Sequence, residues 1–583
     1  MQPGKGRGRF THKIIISAGA GYYNMSGKGR FDIAIKNGRI FDGTGNPWFR
    51  ANIGVKDGVI SKITRSDDIE AERIIDVRGL AVIPGIVDIH SHTDFTITMN
   101  NKAKNRLRQG ITTDVVGNCG QSSYAFTREL RERVSDWLSS MAGQHIEVDW
   151  HTLAQWRRKL ERMGVGVNIV PFVGFGTVRR SVMGDEGEGG ERNEPEKDEL
   201  DEMKALVEEA MIEGAFGLTS GLEYAPQRNA YTEEIIELSK VASAHSGCYM
   251  SHIRSEDDFV IDAVREFIRI SREADIPGCI SHHKACSPKV WGKSRETLKL
   301  ISDARKSGVE IICDTYPWLY VAVRNVGLFF LEPGESLEAK RDGLLRSMES
   351  ETDWSRLKQN AKMSHEDERK RIDETRKRLK RRGTPGRIPW DPVTYYTITY
   401  SKSYPEFEGR NFTEAAHAIG IEDPWDAVRK LYLADEGSTR VAMGNMDEKD
   451  LIAILEAPFT AISTDASAED EPRSFHPRGY GTYPLVFEKY VREEPILSLE
   501  EAVRKMTSLP AGFLGLDGRG LIREGFWADV VVLDPESIRN KATYAEPSLY
   551  PEGISYVMVN GGLAIDEGKF IDSLNGRVLT HNK

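Results

Sequence analysis

The chain has 583 residues, 39% hydrophobic and 29% charged, with a formal net charge of −10. That length exceeds one compact core and suggests a large domain with attachments, while the acidic balance argues against nucleic acid or an anionic membrane as partner. No stretch reaches the ~18 apolar residues of a membrane span, and five cysteines (Cys119, Cys248, Cys279, Cys286, Cys313), an odd number, suit reduced thiols in the cytoplasm better than a disulfide framework.

Residues 1–24 contain "GKGRGRFTHKIIISAGAGYY", a basic start with a short apolar patch but no strong cleavage pattern. They read as a disordered or mis-assigned extension, and the folded part is expected to begin at residue 30, leaving 1–29 outside it. From Phe31 to Val82, runs such as "DIAIKNGRIF" and "ANIGVKDGVISKI" carry Asn-Gly and Asp-Gly, strong short hairpin signals. They predict a small antiparallel β unit over 30–83. The same texture returns in "WADVVVLDP", "ISYVMVNGGLAID" and "GRVL", so 516–583 is expected to complete one β-sandwich built from both chain ends.

Between them, apolar strands alternate with helices, the rhythm of parallel βαβ units. The candidate strands are 86–92, 113–118, 167–175, 215–222, 249–253, 278–282, 309–314 and 460–465. Eight such strands predict an α/β fold, a (β/α)8 TIM-like barrel over 84–515. One connecting helix is expected to start at an N-cap Thr232 and close at Gly247. The long gap after Trp318 predicts a helical insertion at about 331–410. Its stretch "HEDERKRIDETRKRLKRR" pairs Glu366 with Lys370, Asp367 with Arg371, Asp373 with Lys377 and Glu374 with Arg378 at i,i+4, which reads as a solvated helix.

Functional side chains of such a barrel sit at the C-terminal ends of its strands. Read in order, those ends carry His90 and His92, then Cys119, then His252, then His282 and His283, then Asp465. His90 and His92 share a strand face, because side chains alternate. Thiolate with imidazoles suits Zn²⁺ better than Mg²⁺ or Ca²⁺, and the ligands suffice for one or two ions. His282 and His283 point to opposite faces. Lys284 shares a face with His282, and an ammonium aimed at the apolar helix layer would be costly to desolvate. His282 and Lys284 are therefore expected in the mouth, and His283 behind it or in packing.

In this order, "PGIVDIHSH", "TTDVVGNCG", "SHIRSED", "ISHHK", "CDTYPW", "STD" and "HPRGYGTYP" resemble the amidohydrolase superfamily and, within it, the N-acyl-D-amino-acid deacylases (D-aminoacylases). The resemblance runs from about Phe31 to Leu579. It implies a tight zinc on Cys119, His252 and His282, a second and weaker metal position at His90 and His92, and a catalytic Asp465 that also reaches the metal. It also implies a grip on the substrate carboxylate by Arg478, with Tyr316 and Lys284 nearby. Glu223, in "SGLEY", stands where many relatives bridge two metals with a carboxylated lysine or a glutamate; contact with the metal and a hydrogen-bonding role behind it both stay open. The run "STDASAEDEPRSFHPR" is more acidic than an anion site suggests.

These residue types support metal-assisted hydrolysis of a linear amide, with Asp465 moving the proton. The alternatives are a cyclic-amide hydrolase of the dihydroorotase or hydantoinase type, an isoaspartyl dipeptidase, or a non-catalytic scaffold. Relatives of the first two kinds usually place a lysine on strand four, and "GAFGLTSGLEY" has none. The scaffold reading predicts loss of the ligand set, which is intact.

Overall fold

The structure, a computed structural model, describes residues 30–142, 145–189, 194–331, 337–386, 391–471, 474 and 476–581. The N-terminal extension expected over residues 1–29 lies outside the described residues.

The two chain ends zip into one nine-stranded sheet. Its seam is the antiparallel pairing of Ala81–Pro84 with Val530–Leu533, which sets Val530 opposite Pro84 and Leu533 opposite Ala81. Ile35, Ile53, Val55, Ile60, Val82, Val530, Val532 and Met558 form an apolar core on this sheet. The Asp57-Gly58 signal makes the expected hairpin between Phe49–Lys56 and Val59–Thr64, with both turn residues at positive φ, 51° and 80°, as a primed turn requires. Asn37-Gly38 does not. It lies inside the single strand Phe31–Ile40 as an irregularity in its pairing with Phe49–Lys56. There a Cβ on Gly38 would come within 2.6 Å of Val82 Cγ2, so glycine serves close packing and not a chain reversal.

Each of the eight candidate runs overlaps a parallel strand; most of these strands are shorter than the run, while the second and fifth keep its length but start two residues and one residue earlier. They are Ile86–Asp88, Ile111–Val116, Asn168–Pro171 with Val173–Gly174, Gly217–Gly221, Cys248–His252, Gly278–Ile280, Ile311–Thr315 and Thr460–Ile462. The third run breaks at Phe172, one half pairing with Ile111–Val116 and the other with Gly217–Gly221. A parallel bridge from Ser91 to Ala466 links the ends of the first and last strands. Helices alternate with these strands, so the class is α/β. Val260–Glu273, for example, buries Val260, Val264, Phe267 and Ile270 against the sheet. The helix Thr232–Ala244 has Tyr231, not Thr232, at its N-cap position and no side-chain cap there; the Thr232 hydroxyl donates to Glu266 at 2.7 Å instead. At its other end Ser246, not Gly247, takes the left-handed conformation, at φ 58°. No helix among the described residues is long and apolar enough to cross a membrane.

The insertion has its own core, running from Val326 through Trp354, Phe412, Trp425 and Leu431 to Val441, and so extends past the expected 331–410. A small sheet of Val323–Asn325, Arg440–Ala442 and Thr397–Tyr400 ties its two ends together. Its long helix, Glu351–Lys380, is less solvated than the charge pattern suggests. Ile372 and Leu379 are buried, Arg228 pairs with Glu368 at 2.6 Å, and Arg378 donates to the Asn229 carbonyl at 2.8 Å while stacking on Tyr231. Two expected i,i+4 pairs form, Glu366–Lys370 at 3.5 Å and Asp373–Lys377 at 2.6 Å. Arg371 takes Glu368 instead of Asp367, and Arg378 serves the docking contact instead of Glu374.

Candidate active site

The first strand stops at Asp88, two residues before His90, so the shared-face argument does not by itself aim the two rings. Asp88 aims them. Its Oδ1 accepts from the backbone N–H of His90 at 3.3 Å and of Thr464 at 3.0 Å, fixing two strand ends against each other. The rings of His90 and His92 then lie 5.5 Å apart, edge to face. Cys119 sits in "GNCG" at φ 53°, between Gly117 at φ 82° and Gly120 at φ 70°. A Cβ on Gly117 would fall 2.1 Å from the Phe172 carbonyl, and one on Gly120 1.9 Å from Gln227 Oε1. The two glycines that flank Asn118-Cys119 thus combine positive φ with no room for a Cβ. His282 at φ 36° and Asp465 at φ 50° also hold left-handed conformations. Three strained non-glycine residues in one place mark a site that the surrounding fold over-determines.

Their side chains converge. Cys119 Sγ lies 3.4 Å from His90 Nε2 and 3.5 Å from His282 Nε2, and His252 Nδ1 lies 3.1 Å from His282 Nε2. Asp465 Oδ1 is 3.1 Å from His92 Nε2 and 3.6 Å from His90 Nε2. Two groups result that could each hold a cation, His90–His92–Cys119–Asp465 and Cys119–His252–His282, sharing the thiol. Bonds of ~2.3 Å to sulfur and ~2.05 Å to nitrogen at a tetrahedral angle place zinc ligands about 3.3–3.6 Å apart, so the spacing fits zinc. The protonation states fit as well. Burial above all pushes His90 well below the ordinary imidazole value, and burial followed by the Lys284 ammonium pushes His282 down to about 4, leaving neutral rings with lone pairs to give. Burial pushes the Cys119 thiol up, so a cation that binds must displace its proton. Burial favours protonation of Asp465 too, but the Arg478 guanidinium and His92 outweigh it and hold the carboxyl well below the usual range.

Beside this cluster, Lys284 Nζ lies 5.4 Å above the Tyr316 ring and the Arg478 guanidinium lies 5.1 Å from the same ring. The Tyr316 hydroxyl is buried without a hydrogen-bond partner. Arg478 Nη1 approaches Asp465 Oδ2 at 2.7 Å, a close ion pair whose angle is too poor for a hydrogen bond. His283 faces the helix layer, its Nε2 2.8 Å from Thr297 Oγ1. Glu223 Oε2 lies 3.4 Å from His252 Nε2, the nitrogen facing away from the thiol. Of the acidic run, Asp470 accepts from the backbone of Lys102 and Lys104, Glu471 pairs with Lys104, and Glu469 accepts from Tyr480; most of that charge is spent on the neighbouring loop. The cluster opens into a cavity of about 550 Å³, bounded on the insertion side by Val321 and Val323.

Three contacts escape the sequence reading. Tyr224 places its hydroxyl 3.2 Å from His252 Nδ1. Asp314, its carboxyl pushed up to about 7 by burial, accepts from the His282 N–H at 3.0 Å and the Ser463 hydroxyl at 2.5 Å. Glu256 contacts both His282 and Lys284. The adjacency of these residues to "SGLE", "SHIR" and "CDTYP" is the only signal for them.

A model of the amidohydrolase family matches residues 73–318 and 453–564, leaving out the stretch that holds the insertion core. The chain is 33% identical to a D-aminoacylase of Alcaligenes xylosoxydans xylosoxydans over 549 residues, 94% of this chain and 97% of that protein. It is 32% identical to an N-acyl-D-aspartate deacylase of the same organism over 91% of each. A solved structure of N-acyl-D-glutamate deacylase from Bordetella bronchiseptica, in complex with zinc and a phosphonate mimic of the tetrahedral intermediate, superimposes with a TM-score of 0.71 at 29% identity, covering 95% of this chain and all of that one.

Proposed function

The chain belongs to the amidohydrolase family, and from that premise we propose that it hydrolyses the amide bond of N-acyl-D-amino acids, with zinc as cofactor, releasing a carboxylate and the free D-amino acid. The observation that carries this reading is a single cavity in which a thiol, imidazoles and a carboxylate at zinc-ligand spacing adjoin two cations flanking one phenol ring. Relatives similar over nearly their whole length act on such substrates.

Cys119, His252 and His282 are the ligands of one tight ion. His90 and His92, with Asp465 in reach, offer a second and weaker position. Bound to this set of ligands, zinc would supply polarisation of the acyl carbonyl and a water of lowered pKa, ~7 in comparable sites. Asp465 accepts the water proton and delivers it to the leaving amine. Arg478 and Lys284 take the carboxylate that every N-acyl amino acid carries, with the unpartnered Tyr316 hydroxyl as a further donor. Arg478 reaches the substrate by loosening its pair with Asp465. Glu223 backs the outer nitrogen of His252, and His283 serves packing.

We infer further that the parallel strands close into a (β/α)8 barrel over 84–515, a reading supported by the two-way pairing around Phe172 and by the Ser91–Ala466 bridge. The terminal segments 30–83 and 516–583 then form a small β domain of sandwich type. Five buried free cysteines support a cytoplasmic setting.

The test is a panel of N-acetyl D- and L-amino acids incubated with the purified enzyme, with free amine detected. Amine is expected from D-substrates alone. Equal release from both enantiomers, or none from any D-substrate, would overturn the assignment.

A further inference from the structure

The metal-ligand cluster and the carboxylate grip meet at one oxygen atom. Glu256, 4% exposed in "SHIRSED", accepts on Oε1 from Lys284 Nζ at 2.7 Å and lies 2.9 Å from His282 Nδ1 through the same atom. Its placement is fixed from both sides. Its backbone N–H donates to Glu223 Oε1 at 3.1 Å, and its carbonyl accepts from the Cys286 N–H at 2.7 Å.

Lys284 Nζ and His282 Nδ1 are themselves only 2.6 Å apart. His282 turns Nε2 toward Cys119 Sγ. An imidazole that gives its Nε2 lone pair to a metal carries its proton on Nδ1, and the acceptor of that proton sets the tautomer and ring angle. An ammonium and an N–H face each other at this distance as two donors with nothing to share. The carboxylate oxygen beside them accepts from both and, unlike a neutral oxygen, also offsets the ammonium charge. With its charge removed, the imidazole N–H dipole and the ammonium repel, the ring loses its orientation and Lys284 leaves the face of Tyr316.

We propose that Glu256 is a positioning residue that couples the two halves of the site. It holds His282 in the tautomer and orientation for metal binding and, through the same oxygen, holds Lys284 where it meets the substrate carboxylate. This rests on the deacylase reading above and adds to it that metal affinity and carboxylate recognition share one anchor.

The test uses the zinc-loaded full chain and two readouts. One is zinc affinity by chelator competition. The other is the ratio of kcat/KM for an N-acetyl-D-amino acid to that for the matching N-acetyl amine, which has no carboxylate. Glu256→Gln, nearly isosteric but uncharged, is expected to weaken zinc about 10–100-fold, as outer-shell acceptors of metal-binding histidines do, and to lower the ratio about tenfold. Glu256→Asp, which keeps the charge one methylene short, is expected to shift both values in the same direction by less. Wild-type values in both readouts for Glu256→Gln overturn the proposal, and so does a shift in one without the other. Should Glu256→Gln not fold, Glu256→Asp decides by the same two criteria. Turnover and zinc content of the wild type test the deacylase reading separately, so the two failures are distinguishable.

Discussion

Two buried polar clusters share the strand ends, and they are built on opposite plans. In the first, Arg106, with no exposed surface, gives Nε to Asp114 at 3.0 Å, Nη1 to Thr464 Oγ1 at 2.9 Å and Nη2 to Asp88. Thr93 completes Asp114 at 2.6 Å, and the Thr464 N–H completes Asp88. In the second, the metal-ligand cluster, acceptors crowd one another. Ring nitrogens and a sulfur stand 3.1–3.5 Å apart, with the Asp465 carboxylate 3.1 Å from His92 Nε2. Buried polar groups are normally satisfied. A cluster satisfied from within is scaffold, and one that leaves lone pairs converging is completed by something from outside.

The comparison can be broken by mutating one residue in each cluster. The largest effect belongs to the open cluster: Asp465→Asn is expected to lower kcat about 10²- to 10⁴-fold, since an amide cannot accept the water proton, while the melting temperature stays near the wild-type value. Steady-state kinetics with thermal unfolding of the same preparation checks both halves. In the closed cluster the damage moves to the fold. Arg106→Met leaves Asp88 and Asp114 facing each other without their cation, and a broken buried pair of this kind costs about 3–5 kcal/mol, read by urea unfolding. Burial already pushes Asp88 up to about 6 against the pull of Arg106, so the pair has no margin to lose the guanidinium. A stable Arg106→Met protein with a collapsed Asp465→Asn protein would reverse the assignment of scaffold and site.

The same contrast explains what the sequence makes legible. Buried parallel strands read as apolar runs, so all eight are visible in the sequence. Their ends are not, because termination depends on contacts such as Asp88 with His90 and Thr464, distant in sequence. Ligand-type side chains at strand ends stand out by chemistry, as with "HSH", "GNCG" and "SHHK". The residues that orient them do not. Glu256 lies in a charged stretch that looks solvated, and only the packing of the neighbouring strand buries it beside Lys284. The long insertion helix shows the converse: its alternating charges suggest a solvent-facing element, yet Ile372 and Leu379, two apolar positions seven residues apart, are buried, and Glu368 and Arg378 make docking contacts beside them.

A third substitution sharpens the boundary between the clusters, because Arg478 belongs to the open one and yet already holds a protein partner, Asp465. If the substrate carboxylate takes over that guanidinium and keeps it through the reaction, Arg478→Ala removes an interaction common to ground and transition states, and KM rises more than kcat falls. The expected loss in kcat/KM is about ten- to a hundredfold, from ~1.5–3 kcal/mol for a charge-assisted pair. It should nearly vanish on the N-acyl amine without a carboxylate. Equal losses on both substrates would move Arg478 into the scaffold.

The smallest effect is expected where charges are fully paired but not buried. Glu237 accepts from Lys204 and from Lys240, each at 2.8 Å, and these two cations draw its carboxyl down to about 2 despite a small opposing effect of burial. On paper this triad is as complete as the one around Arg106. Its side chain, however, is 38% exposed, so water and salt screen most of the attraction and Glu237→Gln should cost less than about 1 kcal/mol at neutral pH. The sign follows from the lowered carboxyl. Whatever Glu237 contributes is present above its ordinary value of 4.5 and fades as the pH falls toward about 2. The difference in melting temperature between wild type and Glu237→Gln should therefore be a few degrees at most at pH 7, shrink as the pH falls below 4.5 and vanish only near pH 2, and shrink also with added salt. A loss as large as that of Arg106→Met would mean that the number of partners, and not their burial, sets the cost of breaking a charge cluster in this protein.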